Sequence, residues 1–261
     1  MAAASQSRWL RRWRRLQMEL RTRTERSPRV TCAVRSATIS IGVRSRMEMT
    51  RVLTYESKEP DTLDWIDRMV RPGDVFYDVG ANIGVYALYA AAAGARVYAF
   101  EPEALNFARL NENIVANQRS QAIIAYPLGI SNATGVAELH LSQFVEGAAL
   151  HAVQLPSGQP AGRPAHLQGL LVTSLDDLQH RFGLPAPVHI KIDVDGLEPA
   201  IVEGAALTLA DPKLRSVLIE INAEQDAIAD RMARAGFELA SRSKDGNHVF
   251  ERPGGHSGRT G

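Results

Sequence analysis

The chain has little with which to cross-link itself or cross a membrane. Cys32 is the single cysteine among 261 residues, which excludes an internal disulfide framework and any zinc site built on several thiolates. With no His motif beside it, Cys32 is not read as a catalytic nucleophile. No apolar run approaches the roughly 18 residues that a spanning helix needs. The first residues also lack the apolar core of a secretory signal, so a reducing cytoplasm is the expected compartment. Neither sign of charge dominates: 30 Lys and Arg stand against 29 Asp and Glu, for a net charge of +1.

What is present suits one large α/β domain, with 45% hydrophobic and 23% charged residues giving enough apolar surface for a sizeable core. The near-neutral total hides an asymmetry. Residues 1–30 carry nine Arg, two Glu and no Lys, and the remainder is correspondingly acidic. Within this arm Trp9, Trp13, Leu16 and Leu20 recur at helical spacing, with Arg8, Arg11, Arg12, Arg14 and Arg15 on the other faces. Such a helix, over residues 8–20, can lie peripherally on an anionic membrane. A solubilising tail, a helix packed on the domain and an organellar transit peptide are the alternatives. Nucleic acid is not an expected partner, because no second basic cluster appears in the body. The division expected is a basic arm at 1–29, a catalytic domain at 30–252 and a disordered tail at 253–261.

The densest signal is Val75–Gly84, VFYDVGANIG, followed by AFEP at Ala99–Pro102. A short β-type run stops at Asp78 and Gly80, an alanine-rich helix opens after Gly84, and a second apolar run, Arg96–Phe100, ends at Glu101. Strand, glycine turn, helix, strand and acidic residue form the βαβ unit that holds an adenosine-containing cofactor, its carboxylate placed for the ribose hydroxyls. A dinucleotide site usually has three glycines, and here the middle one is replaced within Ala81-Asn82-Ile83. S-adenosylmethionine has no pyrophosphate and suits this turn better. An NAD-type Rossmann oxidoreductase is the rival, weakened further by the lack of an evident Tyr/Lys pair.

Around this unit, alternation predicts a hairpin from Ala37–Val43 and Met47–Leu53, then a helix over Thr62–Val70. Downstream, a helix is predicted at Ala104–Asn117 and a strand at Ala122–Leu128, with Val136–Leu141 alternating. Next come a helix at Leu175–Phe182, a strand at Val188–Val194, a helix at Glu198–Ala210 and a strand at Ser216–Ile221. A helix at Glu224–Ala235 and a terminal antiparallel pair, Phe237–Ala240 with His248–Glu251, complete the order. Repeating β and α units mean a Rossmann-like, doubly wound, mostly parallel sheet. Residues 142–172 lack periodicity and are expected to form an irregular insertion, a lid over the acceptor.

Taken together, these segments resemble the FkbM-type, class I S-adenosylmethionine-dependent methyltransferases. The matching stretches are Phe76–Gly84 (FYDVGANIG), Ala99–Pro102 (AFEP), Thr173–Leu178 (TSLDDL), Ile190–Glu198 (IKIDVDGLE), Glu203-Gly204-Ala205 and Leu218–Asn222 (LIEIN). They occur in the family's order over roughly residues 73–222. Asp195 stands where the family more often has Glu. The resemblance implies methyl transfer to oxygen, commonly a hydroxyl of a sugar, glycolipid or polyketide-like acceptor. It puts the cofactor on Asp78, Gly80, Ala81, Asn82, Gly84 and Glu101.

Ligands of an open α/β sheet sit beyond the carboxyl ends of the strands, which nominates Asp193, Asp195, Glu198, Glu220 and Asn222. Asp193 and Glu220 are the catalytic candidates. Asp193 can act as general base, or it can join Glu220 and Asn222 around a divalent cation. Asp195 and Glu198 can instead simply favour the positive end of the next helix, and that structural reading is preferred for Glu198. His189, inside an apolar strand, reads as a core histidine. His151 and His166 fall in the expected lid, where either could be a base. A silent binding module on the same fold is the remaining alternative.

Overall fold

A computed structural model describes residues 28–148, 152–154, 164–221 and 224–254. The basic arm, His151, much of the expected lid, Asn222 and the tail from residue 255 lie outside the described residues.

The first strands, β1 (Arg29–Val34) and β2 (Ala37–Gly42), form an antiparallel hairpin. Three helices follow, α1 (Arg46–Leu53), α2 (Tyr55–Lys58) and α3 (Pro60–Met69). The central unit is β3 (Val75–Val79), α4 (Val85–Ala92), β4 (Arg96–Phe100), α5 (Ala104–Ala116) and β5 (Ile123–Tyr126). Then come β6 (Gly129–Ile130), β7 (Gly135–Leu141), β8 (Ala152–Gln154), β9 (His166–Thr173) and α6 (Leu175–His180). The last stretch comprises β10 (His189–Ile192), α7 (Glu198–Glu203), α8 (Ala206–Ala210), β11 (Ser216–Glu220), α9 (Gln225–Arg234), β12 (Glu238–Arg242) and β13 (Asn247–Glu251).

Seven strands form the main sheet in the order β12-β13-β11-β10-β3-β4-β5. β11, β10, β3, β4 and β5 run parallel, whereas β13 pairs antiparallel with β11 and β12. This is the doubly wound sheet with a terminal antiparallel pair that the sequence predicts. Successive side chains of a strand point to opposite faces, and both faces are apolar here. Phe76, Val97, Leu218 and Val249 pack under α3 and α4, while Tyr77, Phe100, Ile190 and Ile219 pack under α7 and α9. His189 is a core residue, its ring nitrogens meeting Ser216 Oγ at 2.7 Å and Asp74 at 3.2 Å. The strand order reverses between β3 and β10, and the crevice for a ligand opens at such a switch point.

Two expectations are corrected. Met47–Leu53 is helix, not the second strand of a hairpin; the true partner of Ala37–Gly42 is Arg29–Val34. Ser45 and Glu48 close a capping box, each side chain bonded to the other's backbone N–H, and that fixes a helix start. The 142–172 stretch is not wholly irregular either, because β8 and β9 join β6 and β7 in a four-stranded sheet ordered β6-β9-β7-β8.

A buried ion pair fastens the N-terminal segment to the main domain. Arg109 of α5 meets Glu48 of α1 at 2.5 Å, with side-chain exposures of 2% and 0%. Removing one member of such a pair strands a charge in the interior. Arg109→Met is therefore expected to lower stability by about 3–5 kcal/mol, read from denaturant melts; a loss within ordinary surface-mutation scatter refutes this.

Candidate active site

A cleft of about 230 Å³ lies at the carboxyl ends of β3, β4, β10 and β11, lined among others by Gly80, Asn82, Glu101, Asp193, Asp195 and Glu220. Its shape begins with Gly80. A Cβ there would stand 1.9 Å from the Asp193 carbonyl oxygen, so the turn after β3 and the end of β10 approach to a distance only glycine permits. Gly80 and Ala81 both donate from their backbone to Phe100 O, at 3.0 and 3.1 Å, pinning the turn to β4 as well.

Glu101 ends β4 inside the cleft, 5% exposed. Its carboxylate accepts from Asn82 N at 2.7 Å and Glu103 N at 2.8 Å. Burial nevertheless raises its pKa to about 7, because desolvation outweighs the two donors. Asn82 takes a left-handed φ of 50° and holds Ile83 N through its own Oδ1 at 2.9 Å. Its amide nitrogen donates to Ala148 O at 2.9 Å.

Ala148 ends a short described part of the expected lid. Asn106 Nδ2 donates to the same carbonyl, Arg51 Nε donates to Gly147 O at 2.9 Å and Ser45 Oγ to Glu146 O at 2.6 Å. Residues 146–148 are thus tied across the cleft mouth. His166 is not among the cleft residues and lies instead against the exposed Phe144 ring, 5.0 Å between centroids.

Other residues expected at the cofactor sit behind the cleft wall. Gly84 caps α4 at a left-handed φ of 91°, a conformation that favours glycine. Ala81 is buried. Asp78 is 1% exposed and neither carboxylate oxygen has a hydrogen-bond partner of normal geometry. Desolvation lifts its pKa to about 6, eased by Lys191 and by the Ala87 amide in the first turn of α4.

Sequence reasoning passed over Lys191. It lies 1% exposed in β10, in register with Asp78 of β3. Its ammonium stands 2.6 Å from Asp193 Oδ2 and 4.8 Å from the centre of the Tyr86 ring. Asp193 is in turn hydrogen-bonded to Glu220. The two carboxyls hold one proton between them: Lys191 keeps Asp193 ionised, far below the usual carboxylate range, while burial and the Asp193 charge push Glu220 up to about 8. The signal was a lone lysine in an otherwise apolar strand, IKI, which only a buried counter-charge explains.

Glu198 opens α7, where its Oε1 accepts from Gly196 N at 3.3 Å, a local role as the sequence suggests. For a divalent cation the donor set is poor. Among the described residues no group of three or more His, Cys, Asp or Glu is arranged to hold a metal, and the charge of Asp193 is already met by Lys191. Asn222 lies outside the described residues.

Comparison with known proteins gives a consistent picture. The family described as methyltransferase FkbM domain matches residues 78–239. A hexuronic acid methyltransferase, AglP of Haloferax volcanii, is 28% identical over 207 residues, covering 79% of this chain and 80% of that protein. A 31-O-demethyl-FK506 methyltransferase, FkbM of Streptomyces tacrolimicus, is 29% identical over 187 residues, covering 63% and 71%. Among solved structures, an FkbM methyltransferase from Methylobacillus flagellatus aligns with a TM-score of 0.47 at 14% identity, covering 80% of this chain and 55% of that one.

The buried carboxyls have a consequence for stability. Asp78, Glu101, Glu198 and Glu220 all have raised pKa values, so the folded chain holds protons that the unfolded chain has lost. Their stabilisation is complete below about pH 4 and fades as pH rises through the folded values. His248, lowered by burial, acts in the opposite sense, and the lowered Asp74 and Asp193 act only at acid pH. The melting temperature of the ligand-free protein should therefore fall from pH 5 to pH 8, and Asp78→Asn should flatten the lower half of that slope. A melting temperature that rises across this range refutes it.

Proposed function

The chain belongs to the FkbM methyltransferase family, and on that premise we propose that it methylates a hydroxyl oxygen of a sugar, glycolipid or polyketide-like acceptor, with S-adenosylmethionine as donor. One observation carries the reading. A cleft at the strand-order reversal has Glu101 at the tip of one strand and the Asp193–Glu220 pair at the tips of two others. AglP is named for a hexuronic acid and FkbM for a demethylated FK506, which supports an oxygen-rich acceptor.

The residues present fit the donor better than a dinucleotide. A pyrophosphate needs free backbone amides at a glycine turn, but Asn82 N–H is taken by Glu101 and Ile83 N–H by Asn82 Oδ1. Glu101 supplies a strand-end carboxylate for ribose hydroxyls at the cleft. When bound, S-adenosylmethionine supplies an electrophilic methyl group on a positively charged sulfur. The chain itself aligns the acceptor hydroxyl and accepts its proton on the Asp193–Glu220 pair, a contribution worth about 10²–10⁴ in rate. Residues 146–148, tied over the mouth, help to exclude water.

No helix among the described residues is long and apolar enough to cross a membrane. The arm at 8–20 is proposed to rest on anionic lipid, which would bring a glycolipid acceptor to the cleft.

Calorimetric titration should show binding of S-adenosylmethionine and none of NAD; the converse sinks the assignment. Asp193→Ala should cut turnover by about 10²–10⁴ while leaving cofactor affinity within a few-fold, and unchanged turnover removes Asp193 from the chemistry. Mass spectrometry of glycan and glycolipid fractions incubated with labelled cofactor identifies the acceptor. Deleting residues 1–26 should weaken co-sedimentation with anionic liposomes; equal binding returns the arm to a tail.

A further inference from the structure

The floor of the cleft holds more negative groups than cations. Among the described residues Lys191 of β10 is the fully buried cation there, and Asp78 from β3, Asp193 beyond β10, Glu220 from β11 and Glu59 between α2 and α3 all act on it or on its partners. The Tyr86 ring of α4 lies over its ammonium, and the Tyr86 hydroxyl donates a hydrogen bond to Glu59. Lys58 approaches from the surface, 59% exposed and paired with Glu59 at 3.0 Å. A lysine buried in mid-strand is costly unless its charge is used, and Lys191 spends its contact on a single oxygen, Asp193 Oδ2 at 2.6 Å.

Resting on the methyltransferase reading above, we propose that Lys191 is a positioning residue. Its ammonium, held beneath Asp193, keeps the negative charge of the carboxyl pair on Asp193 and leaves Glu220 as the member that takes up the acceptor's proton. Asp193 is a hydrogen-bond acceptor with a fixed charge, and it orients Glu220. Glu220 first gives up the proton it holds to solvent, which is why the rate rises on the alkaline side. The acceptor O–H bond then breaks, its proton passes to the ionised Glu220 carboxylate, and the acceptor oxygen keeps the electron pair that bonds the methyl. The sulfur retains the electrons of its broken bond to carbon. This goes beyond naming two carboxylates at the acceptor end, because it divides their roles and adds a third residue that never touches the acceptor. The directions of the Asp193 and Glu220 pKa shifts agree with it.

The test is a double-mutant cycle on the full-length chain, using Lys191→Met, Asp193→Asn and the double variant, with kcat, KM, cofactor affinity and the pH–rate profile measured for each. If Lys191 acts through Asp193, Lys191→Met lowers kcat tenfold or more, with cofactor affinity within about threefold. Its effect on kcat shrinks to less than about threefold once Asp193 is Asn. The rise in kcat that accompanies Glu220 ionisation also moves up by about one pH unit when the ammonium is lost. Equal losses in both backgrounds, or an unmoved pH limb, would show a merely structural lysine and overturn the proposal. Should Lys191→Met fail to fold, Glu220→Gln decides: loss of the alkaline rise supports the assignment and its persistence refutes it. Failure of the wild-type chain to bind S-adenosylmethionine instead removes the methyltransferase reading, and Lys191 falls with it.

Discussion

The cleft depends on one close approach, where the turn after β3 meets the end of β10 with no room for a side chain at Gly80. That contact places Asp193 beside the turn that carries Asn82, and so brings the two expected halves of the site into one crevice. It also aligns β3 and β10 so that Asp78 and Lys191 face each other in register. A Cβ at Gly80 would push the turn away from the end of β10 and separate Asp193 from the turn that carries Asn82. Packing, rather than ligand contact alone, is therefore what requires glycine here. At Gly84 the left-handed φ of 91° favours glycine, since the nearby Leu110 Cδ1 is a flexible side-chain end. Glycine patterns of this kind report backbone proximity, and a ligand-binding turn is one of its consequences.

A second constraint ties the segment before the sheet to the cleft mouth. Glu48 sits at the crossing: its carboxylate pairs with Arg109 and accepts from Ser45 N at 3.0 Å. Ser45 in turn donates to Glu146 O, and Arg51, on the same helix as Glu48, donates to Gly147 O. Gly147 takes a left-handed φ of 79°, which favours glycine, and a Cβ there would crowd Glu48 N at 3.0 Å. The hairpin is held by Asn113 of α5 and its C-cap Asn117, whose Oδ1 atoms accept from Gly42 N at 2.9 Å and Ser40 N at 2.8 Å. Helix α5 thus carries the N-terminal segment on one side, while Asn106 reaches the cleft strap on the other. Arg51 and Lys58 of this segment line the cleft, although the family match begins only at residue 78.

Much of this was legible in the sequence where local pattern and global fold agree. The β3–α4–β4 unit was readable because apolar runs, glycine punctuation and a terminal acid coincide. Helix α1 was not, since Met47, Met49 and Leu53 mimic strand alternation while the buried positions are Val52 and the charged Glu48. The Ser45-x-x-Glu48 capping box was the available signal. Strand β9 was hidden because Leu167 and Leu171 are apolar yet exposed and Gly169 interrupts the run. The predicted single helix over Glu198–Ala210 divides into α7 and α8 at Gly204, where a Cβ would stand 2.5 Å from Ser131 O, a contact between distant segments that no local period records. For the site, the carboxylates at strand ends followed from topology. The role of Lys191 did not, because its partners come from strands and helices far apart in the chain.

The charge arrangement bears on the direction of the proposed reaction. The cleft is lined by Glu101, Asp193 and Glu220, with Asp78 and the buried Lys191 behind its wall. Among the described residues, carboxyls thus outnumber buried cations in a desolvated crevice, where each charge counts for more than in water. A ligand with positive charge is favoured there, and the raised pKa values of Asp78 and Glu101 mean that binding such a ligand draws protons off the wall. In the proposed transfer the positive charge on sulfur is consumed and a proton is gained by Glu220. Both changes reduce the attraction between ligand and wall, so the same electrostatics that holds the donor loosens its hold on the product. Lys191 is the limit on this scheme. Without one fixed cation the carboxyls would stay protonated and the wall neutral.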